Sequence, residues 1–191
     1  MQLKEKAFKD HIPIIQDEGL LFLLSFLKAH SEIQNILEVG TAIGYSAIQM
    51  AKVYFDLKID TLEINVERYI QAVANIKKEH LEKQINVYLT DASIFKTNKV
   101  YDLVFIDAAK AQYARYLEHF LMNTVIGTYF IFDNLMFHGM VENNSLSHNR
   151  STKQLVSKIR KFRERLRKDY RFQTDFYLTV GDGMAVSKRI L

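Results

Sequence analysis

Five short apolar runs recur along this chain, and they constrain its fold more than any other feature. A glycine or an acidic residue lies at or just after the end of each run, and helical patterns separate most of the runs. Alternation of strand and helix predicts a mainly parallel sheet with helices on both faces. Because ligands bind beyond the carboxyl ends of such strands, those glycines and acids are the first candidates for function.

The predicted elements follow from apolar periodicity. Asn65 is the predicted cap of helix 66–80, and Tyr69, Ile70, Val73 and Ile76 are its predicted apolar stripe. The predicted strands are 35–39, 59–64, 85–89, 101–106 and 128–132, with a closing antiparallel pair at 172–180 and 184–190; the predicted helices are 18–29, 44–54, 66–80, 111–122 and 152–168. The fold class is therefore α/β, with a seven-stranded sheet.

Length and composition predict a single domain over residues 1–191. The chain has no cysteine, which excludes disulfides, thiolate zinc sites and a cysteine nucleophile. The first ten residues are rich in charge, unlike a secretory signal, and the apolar stretch 19–27 is too short to span a bilayer. We therefore expect a cytoplasmic protein without a membrane partner.

Charge is distributed unevenly along the chain. Residues 150–191 hold 12 Lys+Arg and 4 Asp+Glu, a net charge of +8, whereas residues 1–149 have a net charge of −4. A basic carboxyl-terminal segment is the pattern expected where one face of a protein meets a polyanion.

The turn after the first strand predicts a cofactor site. Gly40 lets a ligand approach the backbone closely, and the helix start at Gly44 offers free amide donors to a carboxylate. Glu63 ends the second strand, where an acid can accept hydrogen bonds from a ribose, and Asp91-Ala92 after the third strand could contact an adenine edge. A ligand with a carboxylate, a ribose and an adenine but no pyrophosphate fits S-adenosylmethionine.

The ends of the fourth and fifth strands predict a metal site. Asp107, Asp133 and the amide oxygen of Asn134 are hard ligands suited to Mg²⁺, with Mn²⁺ or Ca²⁺ as alternatives. An acceptor with two adjacent oxygens could occupy the remaining coordination positions, and Lys110 could accept the proton of the reacting hydroxyl. Taken singly, each of these residues could equally be a solvated strand end or a surface lysine.

Four motifs in order resemble the cation-dependent O-methyltransferases, the family of the catechol and caffeoyl-CoA methyltransferases. They lie at 38–47, 106–110, 132–141 and 181–187, and the resemblance extends over nearly the whole chain. It implies a class I methyltransferase, Rossmann-like fold and a homodimer. It also implies that Lys110 and Asp107 are catalytic, that Asp107, Asp133 and Asn134 bind the metal, and that S-adenosylmethionine contacts Ile15, Gly40, Ser46, Glu63, Asp91, Ala92 and Asp107.

Two acceptor classes remain open within this chemistry. The chain resembles most the family members that convert 5-hydroxyuridine to 5-methoxyuridine at the wobble position of tRNA. Residues 150–171 contain ten basic and two acidic residues, which an RNA backbone would use. We therefore expect the tRNA anticodon loop as partner, contacted by Arg150, Lys153, Arg160, Lys161 and Arg163. The alternatives are a small catechol or caffeoyl-CoA-type acceptor and, third, a non-catalytic RNA-binding module.

Overall fold

The computed structural model describes residues 3–143 and 149–191. These residues form one seven-stranded sheet with the order β3-β2-β1-β4-β5-β7-β6. The strands are β1 (Asn35–Val39), β2 (Lys58–Glu63), β3 (Ile85–Leu89), β4 (Leu103–Ile106), β5 (Tyr129–Phe132), β6 (Phe172–Tyr177) and β7 (Met184–Arg189). Strands β1 to β5 are parallel, whereas β7 is antiparallel to both β5 and β6. The predicted sheet with its closing antiparallel pair is confirmed.

Six α-helices accompany the sheet within the described ranges. They are α1 (Leu3–Lys9), α2 (Asp17–Ala29), α3 (Tyr45–Ala51), α4 (Val66–Lys78), α5 (Tyr113–Phe120) and α6 (Arg150–Lys168). Helix α1 escaped prediction because it is short and buries only Ala7. Helix α5 is shorter than predicted because 3-10 turns, Lys110–Gln112 and Leu121–Asn123, occupy both of its flanks.

The core lies on both faces of the sheet because successive strand residues point to opposite sides. Leu37, Val104 and Phe132 belong to the face covered by α5 and α6. Ile36, Phe105 and Ile131 belong to the opposite face, covered by α2, α3 and α4. Burial on both faces explains why the central strands are almost wholly apolar in sequence.

Helix α4 corrects one detail of the prediction. Its buried residues are Ala72 and Ile76, whereas Ile70 and Val73 are 59% and 40% exposed. The helix packs against β2 and the edge strand β3, so only a narrow side of it meets the sheet. The predicted cap is present, because the Asn65 side chain accepts a hydrogen bond from Arg68 N at 2.9 Å.

The carboxyl ends of the five parallel strands lie along one edge of the sheet. Gly40, Glu63, Asp91, Asp107 and Asp133 each stand at or just beyond a strand end there. Within the described ranges, none of the helices combines the length and apolar character that a membrane span requires.

Candidate active site

The turn between β1 and α3 lies directly against the end of β4. Gly40 has a φ of 109°, and a Cβ built on it would stand 2.1 Å from the carbonyl oxygen of Asp107. No side chain fits in that space, so only glycine allows the two strand ends to approach this closely. Gly44, with a φ of 83°, then begins α3.

Beneath this turn lies Glu38, a fully buried carboxyl group. Ser46 Oγ and Thr61 Oγ1 both donate hydrogen bonds to it. Burial raises the pKa of Glu38 to about 7, although the two hydroxyl donors act in the opposite direction. The hydroxyl of Ser46, predicted as a cofactor contact, is thus engaged with Glu38.

The acids at the ends of β2 and β3 are fixed by backbone amides. Glu63 accepts hydrogen bonds from Ala42 N at 2.8 Å, Ile64 N at 3.0 Å and Asn65 N at 2.8 Å. Asp91 Oδ1 accepts from Ser93 N at 2.8 Å, and hydrogen bonds from Ser93 hold the pKa of Asp91 below its usual range. Both carboxylates are therefore preorganised acceptors at the edge of the sheet.

One cavity of about 500 Å³ joins these features. Its size lies in the range of small-molecule and cofactor sites. It is lined by every residue predicted to contact S-adenosylmethionine, and also by Lys110 and Asn134; the predicted contacts are Ile15, Gly40, Ser46, Glu63, Asp91, Ala92 and Asp107. The structure thus brings the two predicted ends of the site together.

Asp107 and Asp133 follow two neighbouring strands and influence each other electrostatically. Burial raises the pKa of Asp107, and the Lys110 ammonium opposes that rise. Burial and the Asp107 carboxylate raise the pKa of Asp133 to about 7. Two carboxyl groups that resist joint ionisation are a donor set that a divalent cation would stabilise.

Asn134 completes this group from a left-handed backbone conformation, with a φ of 61°. Its backbone N–H donates to Asp133 Oδ1 at 2.6 Å, and its Nδ2 donates to Asp107 Oδ1 at 2.9 Å. Rotation of the amide by about 180° would present its oxygen instead, because the two ends of an amide are nearly isosteric. No three His, Cys, Asp or Glu side chains cluster suitably for a metal in the described part of the chain. The predicted ligand set consists instead of two carboxylates and this amide.

Lys110 begins the 3-10 turn Lys110–Gln112 and reaches the same cavity. Its Nζ lies 5.9 Å from the centroid of the Phe137 ring. The predicted base therefore lines the cavity and lies near an aromatic side chain from the segment that follows Asn134.

The predicted RNA-binding residues divide into two groups. Arg150, Lys153 and Lys161 are exposed. The Arg160 guanidinium donates to the carbonyl oxygen of Val141, with Nε at 2.6 Å. Arg163 is buried, 5% exposed, and its NH1 lies 2.7 Å from Glu142 Oε1. Burial takes Arg163 out of the set that could contact RNA, and the reason is its place on the core-facing side of α6.

Tyr113 is buried and donates to the carbonyl oxygen of Asp133 at 2.9 Å. Sequence reasoning missed three other residues of the site. Arg68, Gln112 and Tyr116 line the cavity. Arg68 lies in the first turn of α4, the helix that follows the acid at the end of β2, and that position is a signal the sequence does contain.

Known proteins resemble this chain over most of its length. A sequence profile described as O-methyltransferase matches residues 2–190. A catechol O-methyltransferase of Niastella koreensis is 30% identical over 175 residues, covering 86% of this chain and 77% of that protein. A caffeoyl-CoA O-methyltransferase of Stellaria longipes is 29% identical over 177 residues, covering 88% and 73%.

A solved structure from Staphylococcus aureus extends the similarity to three dimensions. Its name assigns it provisionally to the caffeoyl-CoA O-methyltransferases. It superposes with a TM-score of 0.92 at 33% identity and covers 98% of this chain and 90% of that one.

Proposed function

The chain belongs to the O-methyltransferase family, and on that premise we propose that it methylates one of two adjacent oxygens on a small aromatic acceptor of the catechol or caffeoyl type. S-adenosylmethionine is the methyl donor in this proposal, and a divalent cation, Mg²⁺ by its ligand chemistry, holds the acceptor. The observation that carries the proposal is the convergence of Asp107, Asn134 and Lys110 on the cavity that also holds the predicted cofactor residues.

The cofactor fits the cavity by its polar groups. Glu63 stands at the end of β2 with both oxygens oriented by amides, where they can accept hydrogen bonds from ribose hydroxyls. Asp91 and Ala92 line the neighbouring part, where an adenine edge would lie. Because Gly40 has no side chain, its backbone lies close to the Asp107 carbonyl oxygen, and both residues line the cavity.

The reaction transfers a methyl group and a proton. S-adenosylmethionine supplies a methyl group on a positively charged sulfur, and a bound divalent cation lowers the pKa of an acceptor hydroxyl. Asp107, Asp133 and Asn134 would hold that cation through oxygen atoms. Lys110 is the proposed acceptor of the hydroxyl proton, which leaves as the new oxygen–methyl bond forms and the sulfur–methyl bond breaks. The chain's own contribution is orientation and exclusion of water.

A second acceptor, 5-hydroxyuridine in the tRNA anticodon loop, shares the chemistry because its hydroxyl also neighbours an oxygen. One observation favours it: α6 packs against the 3-10 turn that carries Lys110 and exposes Arg150, Lys153 and Lys161. Exposed cations beside the site would contact the phosphates of an RNA substrate. The names of the relatives favour the small acceptor, which we therefore place first.

Competing acceptors distinguish the two candidates. We expect methyl transfer to a 3,4-dihydroxyphenyl compound and none to its monohydroxyl analogue, since chelation needs both oxygens. Reversing the charges of Lys153 and Lys161 should leave that activity intact, and Lys78→Glu on α4 is the matched exposed control. Efficient transfer only to hydroxyuridine-bearing tRNA, lost on the α6 reversal but not in the control, would favour the tRNA candidate instead.

A further inference from the structure

The segment 134–138, which begins with the proposed metal ligand Asn134, has an unfavourable backbone conformation. Asn134, Phe137 and His138 have φ values of 61°, 46° and 55°, in the left-handed region that favours glycine. Each such residue costs about 1 kcal/mol or more and persists only where the surroundings hold it. Because Asn134 lines the cavity and the Phe137 ring lies 5.9 Å from Lys110 Nζ, what holds this segment also sets the geometry of the site.

The turn at 181–183 contacts this segment through three hydrogen bonds. Leu135 N donates to Gly183 O at 2.8 Å, and Met136 N donates to Asp182 O at 2.8 Å. His138 N donates to the side-chain Oδ1 of Asp182 at 2.5 Å. The turn must also lack a side chain at Gly183, since a Cβ there would lie 2.5 Å from Met136 Cγ.

Asp182 is buried, 6% exposed, and is not fully satisfied. Its Oδ2 has no hydrogen-bond partner among the residues that the structure describes. The His138 Nδ1 lies 3.9 Å away, beyond hydrogen-bond distance, on a side chain that is 66% exposed. A buried carboxylate oxygen without a donor is costly, and the hydrogen bond that Oδ1 accepts from the His138 amide contributes in the opposite direction.

From these contacts we infer that Asp182 is a positioning residue for methyl transfer. Its carboxylate holds the His138 amide and thereby keeps residues 134–138 in the conformation that sets the Asn134 amide beside Asp107 and the Phe137 ring beside Lys110. The inference rests on the proposed function of that site. Asp182 acts on the backbone of its neighbours and touches no reacting atom.

Helix α6 also contacts this part of the chain. Arg163 NH1 lies 3.6 Å from Met136 Sδ, and Arg160 donates to the Val141 carbonyl. The first contact is at the middle of residues 134–138, and the second is at a residue beyond them. The hydrogen bond at His138 is made by Asp182, so removing that carboxylate releases the part nearest to Lys110.

Three variants test the inference. Asp182→Ala removes the acceptor, and we expect kcat to fall about tenfold or more through misplaced groups, with KM for S-adenosylmethionine unchanged. Asp182→Asn keeps an oxygen acceptor for the His138 amide and should restore most of kcat. His138→Gly in the Asp182→Ala background should restore part of it, because glycine adopts a positive φ without strain.

Two measurements do not depend on an acceptor and separate this inference from the proposed function. We expect faster hydrogen exchange at amides 135–138 and weaker Mn²⁺ binding, followed by electron paramagnetic resonance, in Asp182→Ala but not in Asp182→Asn. If the wild-type protein methylates no acceptor and the two variants still show this difference, the proposed function is refuted and the positioning role stands.

Other results would overturn the inference. Wild-type kcat in Asp182→Ala would show that the carboxylate positions nothing. Equal loss in Asp182→Asn and Asp182→Ala would show that negative charge, and not the acceptor, matters. If Asp182→Ala does not fold, Asp182→Asn decides: near-wild-type kcat supports the inference, and a loss of about tenfold contradicts it.

Discussion

At the scale of single residues, the site is defined by buried carboxyl groups that the fold keeps close together. Asp107, Asp133 and Glu38 all have raised pKa values, and burial is the largest cause in each case. The sequence made Asp107 and Asp133 predictable because each follows an apolar run at the same edge of the sheet. Asp182 was not predictable as a functional residue, because only the folded chain shows that its carboxylate meets the His138 amide.

Cation binding should depend on pH in a way set by Asp133. Burial and the nearby Asp107 carboxylate raise the pKa of Asp133 to about 7, and a cation binds the ionised form. We expect Mn²⁺ affinity to weaken as pH falls below about 7, with proton release on binding. Calorimetry in two buffers of different ionisation enthalpy measures both the Mn²⁺ affinity and the number of protons released. Affinity that is constant down to about pH 5 would contradict the raised pKa.

Glu38 should make stability fall as pH rises. The pKa of Glu38 in the folded state, about 7, lies above the ordinary value of 4.5. Its contribution to the free energy of unfolding is therefore full below pH 4.5 and is lost as the pH rises through 7. We expect Glu38→Gln to remove this dependence, a difference of about 3 kcal/mol at alkaline pH. Urea unfolding across this pH range measures it in the presence of a chelator.

A matched variant controls for the loss of a carboxyl group. Glu67 is exposed on α4, and Glu67→Gln should show the same pH dependence of unfolding as the wild type. If the free energy of unfolding depended on pH identically in Glu38→Gln and in the wild type, ionisation of Glu38 would not destabilise the folded state, and the prediction would be wrong.

At the scale of elements, two parts of the chain that contact each other line the cavity. They are the turn between β1 and α3 and the end of β4. The strands were predicted closely because apolar runs with short loops leave few alternatives. Helix α4 was less well predicted: a stripe rule expects Ile70 and Val73 inside, but a helix at the sheet edge buries a narrower side. For helix α6, too, the sequence does not show which residues are buried. Its basic composition does not reveal that the Arg163 side chain points into the protein.

The Gly40 contact predicts loss of cofactor binding on a minimal substitution. Gly40→Ala places a methyl group 2.1 Å from the Asp107 carbonyl oxygen, so one of the two strand ends must move. We expect S-adenosylmethionine binding, measured by calorimetry, to be lost or severely weakened.

Gly127→Ala is the matched control for that substitution. Gly127 also has a positive φ, 98°, but a Cβ there meets nothing within 4 Å. Gly127→Ala should lower the free energy of unfolding by about 1 kcal/mol through backbone strain and leave cofactor binding intact. Equal cofactor affinity in the two variants would show that the close approach at Gly40 is not needed.

At the scale of the whole molecule, the basic carboxyl-terminal segment is partly neutralised within the fold. Arg163 pairs with Glu142, and Arg165 and Arg171 pair with Glu118. Sequence composition alone therefore overstates the charge available to a polyanion. The homodimer and the tRNA partner stay predictions, whereas family membership and the mainly parallel sheet are established by the match over 2–190 and by the strand order.

The most direct test of the central claim is methyl transfer from labelled S-adenosylmethionine to a 3,4-dihydroxyphenyl acceptor by wild-type protein and by Asp133→Ala, each with Mg²⁺ and with a chelator. We predict transfer by the wild type with Mg²⁺, none with the chelator, and a loss of about a hundredfold or more in Asp133→Ala, because the cation loses a ligand. Undiminished transfer in the chelator, or by Asp133→Ala, would contradict a cation held between the ends of β4 and β5.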